Sequence, residues 1–204
     1  LDLGKHFVKD KVSDMAVAAP PQTNIQPTMK AQRLTYADYR AMPDDGTRYE
    51  LVEGELRIMP SPTTAHQNAL LNLAVKLKAF AKEKDLGRVF VAPLDVQLSD
   101  DLCYQPDVLF VAKESKAKIT EVDIVGAPDL VVEIVSPSSR RIDRKEKMEN
   151  YAKHGAREYW LIYPETIFVE VFVLRDGKYE MLGRYGEGET MRSEVLSGLE
   201  FLTE

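Results

Sequence analysis

Two carboxylates stand out by their surroundings. Glu133 lies inside the run Asp129-Leu-Val-Val-Glu-Ile-Val, where every flanking residue from 131 to 135 is β-branched and apolar. Asp107 follows Gln105-Pro106 and leads directly into Val108-Leu-Phe-Val. An ionised carboxylate in a sheet interior costs roughly several kcal/mol unless something compensates it. A single such acid is accounted for by an arginine partner or by bonds to backbone amides. Two acids, each entering an apolar strand with about twenty residues between the strands, suggest a shared task. If the strands are neighbours, the carboxylates meet at one point. Paired acidic oxygens suit Mg²⁺ or Mn²⁺, hard cations whose oxygen ligands for Mg²⁺ lie at about 2.0–2.1 Å.

A basic stretch follows Glu133. Between residues 137 and 157, seven lysines and arginines face three acids, a local excess of four in a chain whose net charge is −6. Taken alone, this describes a solvated helix with i,i+4 pairs such as Asp143–Lys147. Asp143, Lys147 and Tyr151 nevertheless share one stripe of that helix. A helix leaving the Glu133 strand can return its lysine toward that strand's carboxylate. His66 lies on the stripe formed with Leu70, Leu73, Leu77 and Phe80. It is either a satisfied core histidine or, if the helix crosses the sheet, a residue facing Asp107.

The elements that must position these groups are legible as pattern. Residues 1–30 hold Pro20, Pro21 and Pro27 among polar residues without sustained period, and are expected to form a mobile N-terminal arm or extension. Residues 31–204 are expected to form one domain. Thr35 and Asp38 predict a capped short helix. Glu53-Gly54 predicts a hairpin between Tyr49-Glu-Leu-Val and Glu55-Leu-Arg-Ile-Met. Ser61-Pro62 predicts a helix start, with the helix running to about Lys84 and closed by Gly87. Strands are expected at about 88–92, 94–98 and 104–112, a loop over 113–128, and a central strand at 129–135. A helix over about 140–154 ends at Gly155. Strands over 157–163, 167–174 and 178–184 follow, the last two joined at Asp176-Gly177. The alternation implies an α/β fold, a mixed β-sheet flanked by helices with extra β-hairpins.

Composition narrows the classes. The single cysteine, Cys103, excludes an internal disulfide framework and a cysteine-rich zinc site. It fits a cytoplasmic location. No apolar run approaches the ~20 residues of a membrane helix, so no membrane partner is expected. The acidic balance argues against a general nucleic-acid coat but leaves room for a local basic groove.

The motifs Tyr49-Glu-Leu-Val-Glu-Gly-Glu-Leu, Ser61-Pro with His66, Pro106-Asp107, Asp129-Leu-Val-Val-Glu-Ile-Val-Ser-Pro-Ser-Ser, Asp143-x-x-x-Lys147-x-x-x-Tyr151 and Glu158-Tyr-Trp-Leu occur in that order. As a set, spanning about residues 34–185, they resemble the Uma2 family of restriction-endonuclease-like proteins, within the PD-(D/E)XK nuclease superfamily. The resemblance implies a restriction-endonuclease-like core and divalent-metal hydrolysis of phosphodiesters in DNA. It makes Asp107 the acid of the Pro-Asp pair, Glu133 the following acid and Glu50 the early acid of the Tyr-Glu-Leu motif. The superfamily's lysine two residues after the acid is replaced by Val135, and Lys147 is the expected substitute. On this reading Asp107, Glu133 and the Ile134 carbonyl hold Mg²⁺ or Mn²⁺. Lys147 reaches the space beside Glu133, Asp143 tunes it and Tyr151 supports it. Arg140, Arg141, Arg144 and Lys145 hold phosphates without reading sequence. Enzymes of this kind commonly pair to cut both strands, which implies a homodimer. Two other readings differ in class: a nuclease fold that holds nucleic acid without cutting it, and a hydrolase of a smaller phosphoester. Salt-dependent duplex binding separates the last from the others.

Overall fold

The computed structural model describes residues 33–203; the arm expected over residues 1–30 lies outside them. In chain order the elements begin with α1 (Tyr36–Arg40), β1 (Tyr49–Val52), β2 (Glu55–Ile58), α2 (Thr64–Glu83), β3 (Gly87–Val91), β4 (Asp95–Ser99), β5 (Leu102–Tyr104) and β6 (Val108–Ala112). Then come β7 (Lys118–Ile119), β8 (Asp123–Val125), β9 (Leu130–Ile134), a π-helical turn (Ile142–Lys147) and α3 (Met148–His154). The remainder is β10 (Glu158–Tyr163), β11 (Phe168–Arg175), β12 (Lys178–Tyr185), β13 (Thr190–Arg192) and β14 (Glu200–Leu202). The fold is α/β, with two six-stranded mixed sheets where pattern alone gave one. The first runs β2-β1-β5-β4-β8-β7 and the second β12-β11-β10-β9-β6-β3.

Local signals explain most of the boundaries. The Thr35 side chain and Asp38 form the reciprocal cap expected for α1. Glu53 and Gly54 both take positive φ, 50° and 77°, the requirement of a two-residue hairpin turn. That turn sets Glu50 opposite Arg57. The start of α2 differs from expectation. Thr63, not Ser61, is the cap, and its hydroxyl accepts from the His66 amide. Thr63 is extended with its hydroxyl over the third helical residue, while the first helical position is Thr64 rather than Pro62. At the other end, Asp85 takes the left-handed position with φ 54°, and Gly87 opens β3. A side chain at Gly87 would meet the Val111 carbonyl at 2.2 Å, so glycine here serves strand approach rather than helix closure.

The strand expected over 104–112 is two strands. Pro106, which has no amide to donate, lies where the chain passes from β5 in the first sheet to β6 in the second. Residues 113–128, expected as loop, contain β7 and β8, which pair with each other while β8 adds parallel to β4. Both strands are too short to show a period in sequence. The helix expected over 140–154 exists, but its first part is a π turn. In the turn that precedes it, Ser136 and Ser139 bond reciprocally, each side chain accepting the other's amide at 3.1 Å.

Packing makes three layers. On one face of the second sheet, Leu70, Leu73 and Leu77 of α2 meet Val108, Val132, Ile134 and Trp160. Fully burying one such aliphatic side chain contributes about 1.5–3 kcal/mol. On the opposite face, Val131, Val135, Tyr159 and Leu161 meet Leu102 and Tyr104 of the first sheet, with Tyr151 of α3 between. β9 is central, flanked by parallel β10 and antiparallel β6. Residues 131, 133 and 135 therefore face the first sheet, and Glu133 is enclosed by it. The last segment is held by Glu158, a fully buried carboxylate. It accepts from the Trp160 indole at 2.6 Å and from the amides of Glu194 and Val195 at 2.9 and 2.8 Å. Among the described residues, no helix is long and apolar enough to cross a membrane.

Candidate active site

The site lies where β1, the β5–β6 connection, β9 and the π turn converge. Antiparallel pairing of β6 with β9 ends at Val108↔Val132, so Asp107 stands one step beyond the ladder, toward Glu133. Its Oδ2 takes over where strand pairing stops and accepts from the Ile134 amide at 2.7 Å. The same oxygen lies 3.1 Å from His66 Nε2. The expected approach of the α2 histidine to Asp107 is thus realised. These two side chains are about one-sixth exposed, at 17% and 16%, and form the open side of the site.

Behind them the site is closed to solvent. Lys147 Nζ donates to Glu50 Oε1 at 2.8 Å and to Glu133 Oε1 at 3.1 Å. All three side chains are buried. Glu50 Oε1 also accepts from the Gln105 amide at 3.1 Å. Lys147 was expected beside Glu133; the structure places it between Glu133 and Glu50, on oxygens from both sheets. Asp143 is buried one turn earlier, and its backbone carbonyl accepts from the Tyr159 hydroxyl at 2.9 Å. Tyr151 is buried with its ring 5.5 Å from that of Tyr104, and its hydroxyl has no partner among the described residues.

Charge in this enclosure is unbalanced: one ammonium, Lys147, is shared by the buried carboxyls of Glu50 and Glu133, and Asp143 is buried on the same turn. Burial pushes the Glu133 carboxyl well above its ordinary range. Lys147 pulls it down, while Asp143, Asp107 and Glu50 push it further up. Burial alone would lower Lys147, but Glu133, Glu50 and Asp143 together raise it well above the ordinary lysine value. The ammonium therefore stays charged.

Asp143 permits a direct test. Burial pushes its carboxyl up to about 6 from the ordinary 3.8, against the pull of Lys147 and a bond with Ser139. Between those values the folded chain holds a proton that the unfolded chain has lost. Stability from this residue is therefore highest below the lower value and falls as pH rises through the window. Asp143→Asn keeps an acceptor for Ser139 but cannot ionise. It is expected to melt higher than wild type above pH 6, by at most ~3 kcal/mol of stability, with the gap closing toward pH 4. Calorimetry across that range checks it; a pH-independent gap would contradict the assignment.

The basic residues divide. Arg140, Arg141 and Lys145 are exposed. Arg144 is exposed too, but its Nη1 is engaged with the buried Glu170 and with the Tyr163 hydroxyl, which ties the helix to β11. Sequence reasoning missed the polar groups that link Arg57, Tyr104, Glu146 and Asn150 beside the site. Arg57 binds Glu146 through both nitrogens at 2.8 and 3.0 Å. Tyr104 donates to Glu146 at 3.1 Å and accepts from Asn150 at 2.7 Å. The Glu53-Gly54 turn had fixed Arg57 opposite Glu50, and that register was the available signal. Nothing local marked Gln105, Tyr104 or Glu146.

These residues suit a divalent cation. The donors are hard carboxyl oxygens, and Glu50 Oε2 is buried without a hydrogen-bond partner. Among the described residues, no three His, Cys, Asp or Glu side chains are already gathered to hold an ion. A full shell would draw on a backbone carbonyl and solvent, as Mg²⁺ normally does.

The likeness read from the motifs is borne out by comparison. A family model described as "Uma2: Putative restriction endonuclease" matches residues 36–204. An "Uncharacterized protein sll1609" of Synechocystis is 23% identical over 152 residues, 74% of this chain and 82% of that protein. The crystal structure of "a putative nuclease belonging to DUF820" from Anabaena variabilis superposes with a TM-score of 0.69 at 20% identity. That match covers 83% of this chain and 95% of the other, and establishes a shared fold.

Proposed function

The chain belongs to the Uma2 family, and on that premise we propose that it is a divalent-metal-dependent nuclease that hydrolyses phosphodiester bonds in DNA. The observation that carries the reading is the pair of buried carboxyls, Glu50 and Glu133, on a single ammonium, with the site opening to solvent at Asp107 and His66. A buried site so short of positive charge favours a cation, and the substrate it then admits is an anion.

Asp107, Glu133 and the Ile134 carbonyl would hold Mg²⁺ or Mn²⁺, with Glu50 available as a further carboxylate. When bound, the ion would supply Lewis-acid polarisation of the scissile phosphate and favour a water nucleophile. The chain's own groups do the remaining work. Asp107 is fixed by the Ile134 amide, so its carboxylate needs no reorganisation. His66 holds Asp107 from the α2 side. Lys147 carries a permanent charge within reach of Glu133 and stabilises the negative charge that develops on phosphorus-bound oxygens. Exposed Arg140, Arg141 and Lys145 attract backbone phosphates without reading bases.

The test is nicking of a supercoiled plasmid with Mg²⁺, with Mn²⁺ and with EDTA, using wild type and Asp107→Ala. Cleavage is expected with either metal and not with EDTA. Asp107→Ala is expected to lose at least ~10²-fold in rate, since it removes both an ion ligand and the anchor of Ile134. Equal nicking by the two proteins, or nicking in EDTA, would overturn the proposal.

A further inference from the structure

We propose that Lys147 and the divalent cation take turns on the same carboxylates: cation binding drives the ammonium off Glu50 and Glu133, and the buried hydroxyl of Tyr151 receives it. The inference rests on the nuclease reading and adds to it a switch within the site.

Three observations carry it. First, Lys147 Nζ already sits on one oxygen of each carboxyl that a cation would draw on, 2.8 Å from Glu50 Oε1 and 3.1 Å from Glu133 Oε1. Two positive charges in contact within one buried site repel strongly, because little solvent screens them. An ion on the remaining oxygens, such as the unpartnered Glu50 Oε2, would press directly on the ammonium. Second, Tyr151 is fully buried and its hydroxyl has no hydrogen-bond partner. An orphaned buried hydroxyl is costly and calls for an explanation. It lies four residues beyond Lys147 on the same helical face, and Glu133 and Glu50 are its strongest charged neighbours. The ring of Tyr104 lies 5.3 Å from Nζ and packs against Tyr151, giving the ammonium a cation–π surface along the way. Third, Lys147 is the last residue of the π turn and the first flank of α3. Such turns are rare and concentrate at functional sites. A shift of the turn's boundary rotates Lys147 without unfolding α3.

The moved ammonium remains near Glu133, where it can act on the phosphate. Lys147 would then serve first as a counter-ion that keeps the carboxyl cluster folded, and afterwards as the charge that supports hydrolysis.

Calorimetric titration of the full chain with Mg²⁺ alone tests the exchange. Lys147→Met removes the competitor at similar volume and is expected to bind Mg²⁺ at least ~10-fold tighter than wild type, the direction set by deleting a like charge in contact. Tyr151→Phe removes only an unpartnered hydroxyl, so it folds as wild type does. It is expected to bind Mg²⁺ several-fold more weakly, because the displaced ammonium loses its acceptor. A purely structural tyrosine would leave Mg²⁺ affinity unchanged. Should Lys147→Met fail to fold, wild type carrying [ε-¹³C]lysine decides the first point: the Lys147 resonance must move in step with Mg²⁺ saturation. Mg²⁺ binding that leaves this resonance fixed, or Tyr151→Phe binding as wild type does, overturns the switch while leaving the nuclease reading standing. No Mg²⁺ binding by wild type overturns both.

Discussion

Lys147→Ala is expected to slow plasmid cleavage by about 10²–10³, the effect of removing one preorganised charge-stabilising donor worth roughly 3–4 kcal/mol in the transition state. The warrant is geometric. Val135 occupies the position where the superfamily's usual lysine would stand, and among the described site residues Lys147 is the cation bonded to both Glu50 and Glu133. The substitution also strands two buried carboxyls. Breaking a buried ion pair by deleting one partner costs about 3–5 kcal/mol, although Glu133 can relieve part of this by taking up a proton. Rates must therefore be compared on protein shown by circular dichroism to be folded. Lys145→Ala is the control, since that side chain is exposed and should weaken DNA binding more than turnover. If Lys147→Ala cleaves at the wild-type rate while Lys145→Ala does not, the helix presents a different cation to the phosphate.

Glu158→Ala should produce the largest loss of stability in the second sheet away from the site. The carboxylate is fully buried at the start of β10. It satisfies the Trp160 indole and the amides of Glu194 and Val195. Removal leaves the buried Trp160 indole and two amides of half-buried bonds without their acceptor, each costing up to about 1–3 kcal/mol. A total of roughly 4–6 kcal/mol allows for partial rescue by water, and would consume much of the 5–15 kcal/mol that typical domains possess. The chain from 191 to 203 packs Met191, Leu196 and Leu199 into one cluster with Leu70, Leu73 and Leu77 of α2, so its release exposes one side of the core. Urea unfolding measures the loss, and hydrogen exchange at residues 194 and 195 should report local opening first. A change below about 1 kcal/mol would mean that solvent satisfies these donors as well as Glu158 does.

The sequence reading succeeded where the signal was short-ranged. Alternation and apolar runs marked β9 and β10, Glu53-Gly54 marked the hairpin, and Gly155 marked the end of α3, where it takes φ 90°. It failed where two local signals competed or none existed. Ser61-Pro62 looked like a helix start, but Thr63 held the next available hydroxyl over the His66 amide. β7 and β8 were invisible because two- and three-residue strands carry no period; β8 exists because β4 offers it a parallel partner.

For the site, the sequence by itself determined which acids were anomalous. Glu133 sits among β-branched apolar residues, and Asp107 stands between a proline and an apolar strand. Both conditions are local, and both imply a carboxyl held where water is scarce. The four-residue spacing of Asp143, Lys147 and Tyr151 also fixed their common helical face. Only the tertiary structure decided that Glu50, from the other sheet, shares Lys147 with Glu133, that Arg144 pairs with Glu170, and that the Tyr151 hydroxyl has no partner among the described residues. Periodicity specifies which face of an element is buried, because burial depends on side-chain type at each turn or pleat. It does not specify what covers that face. Partner choice depends on how two sheets and a helix stack, and that arrangement is set by packing across the whole core.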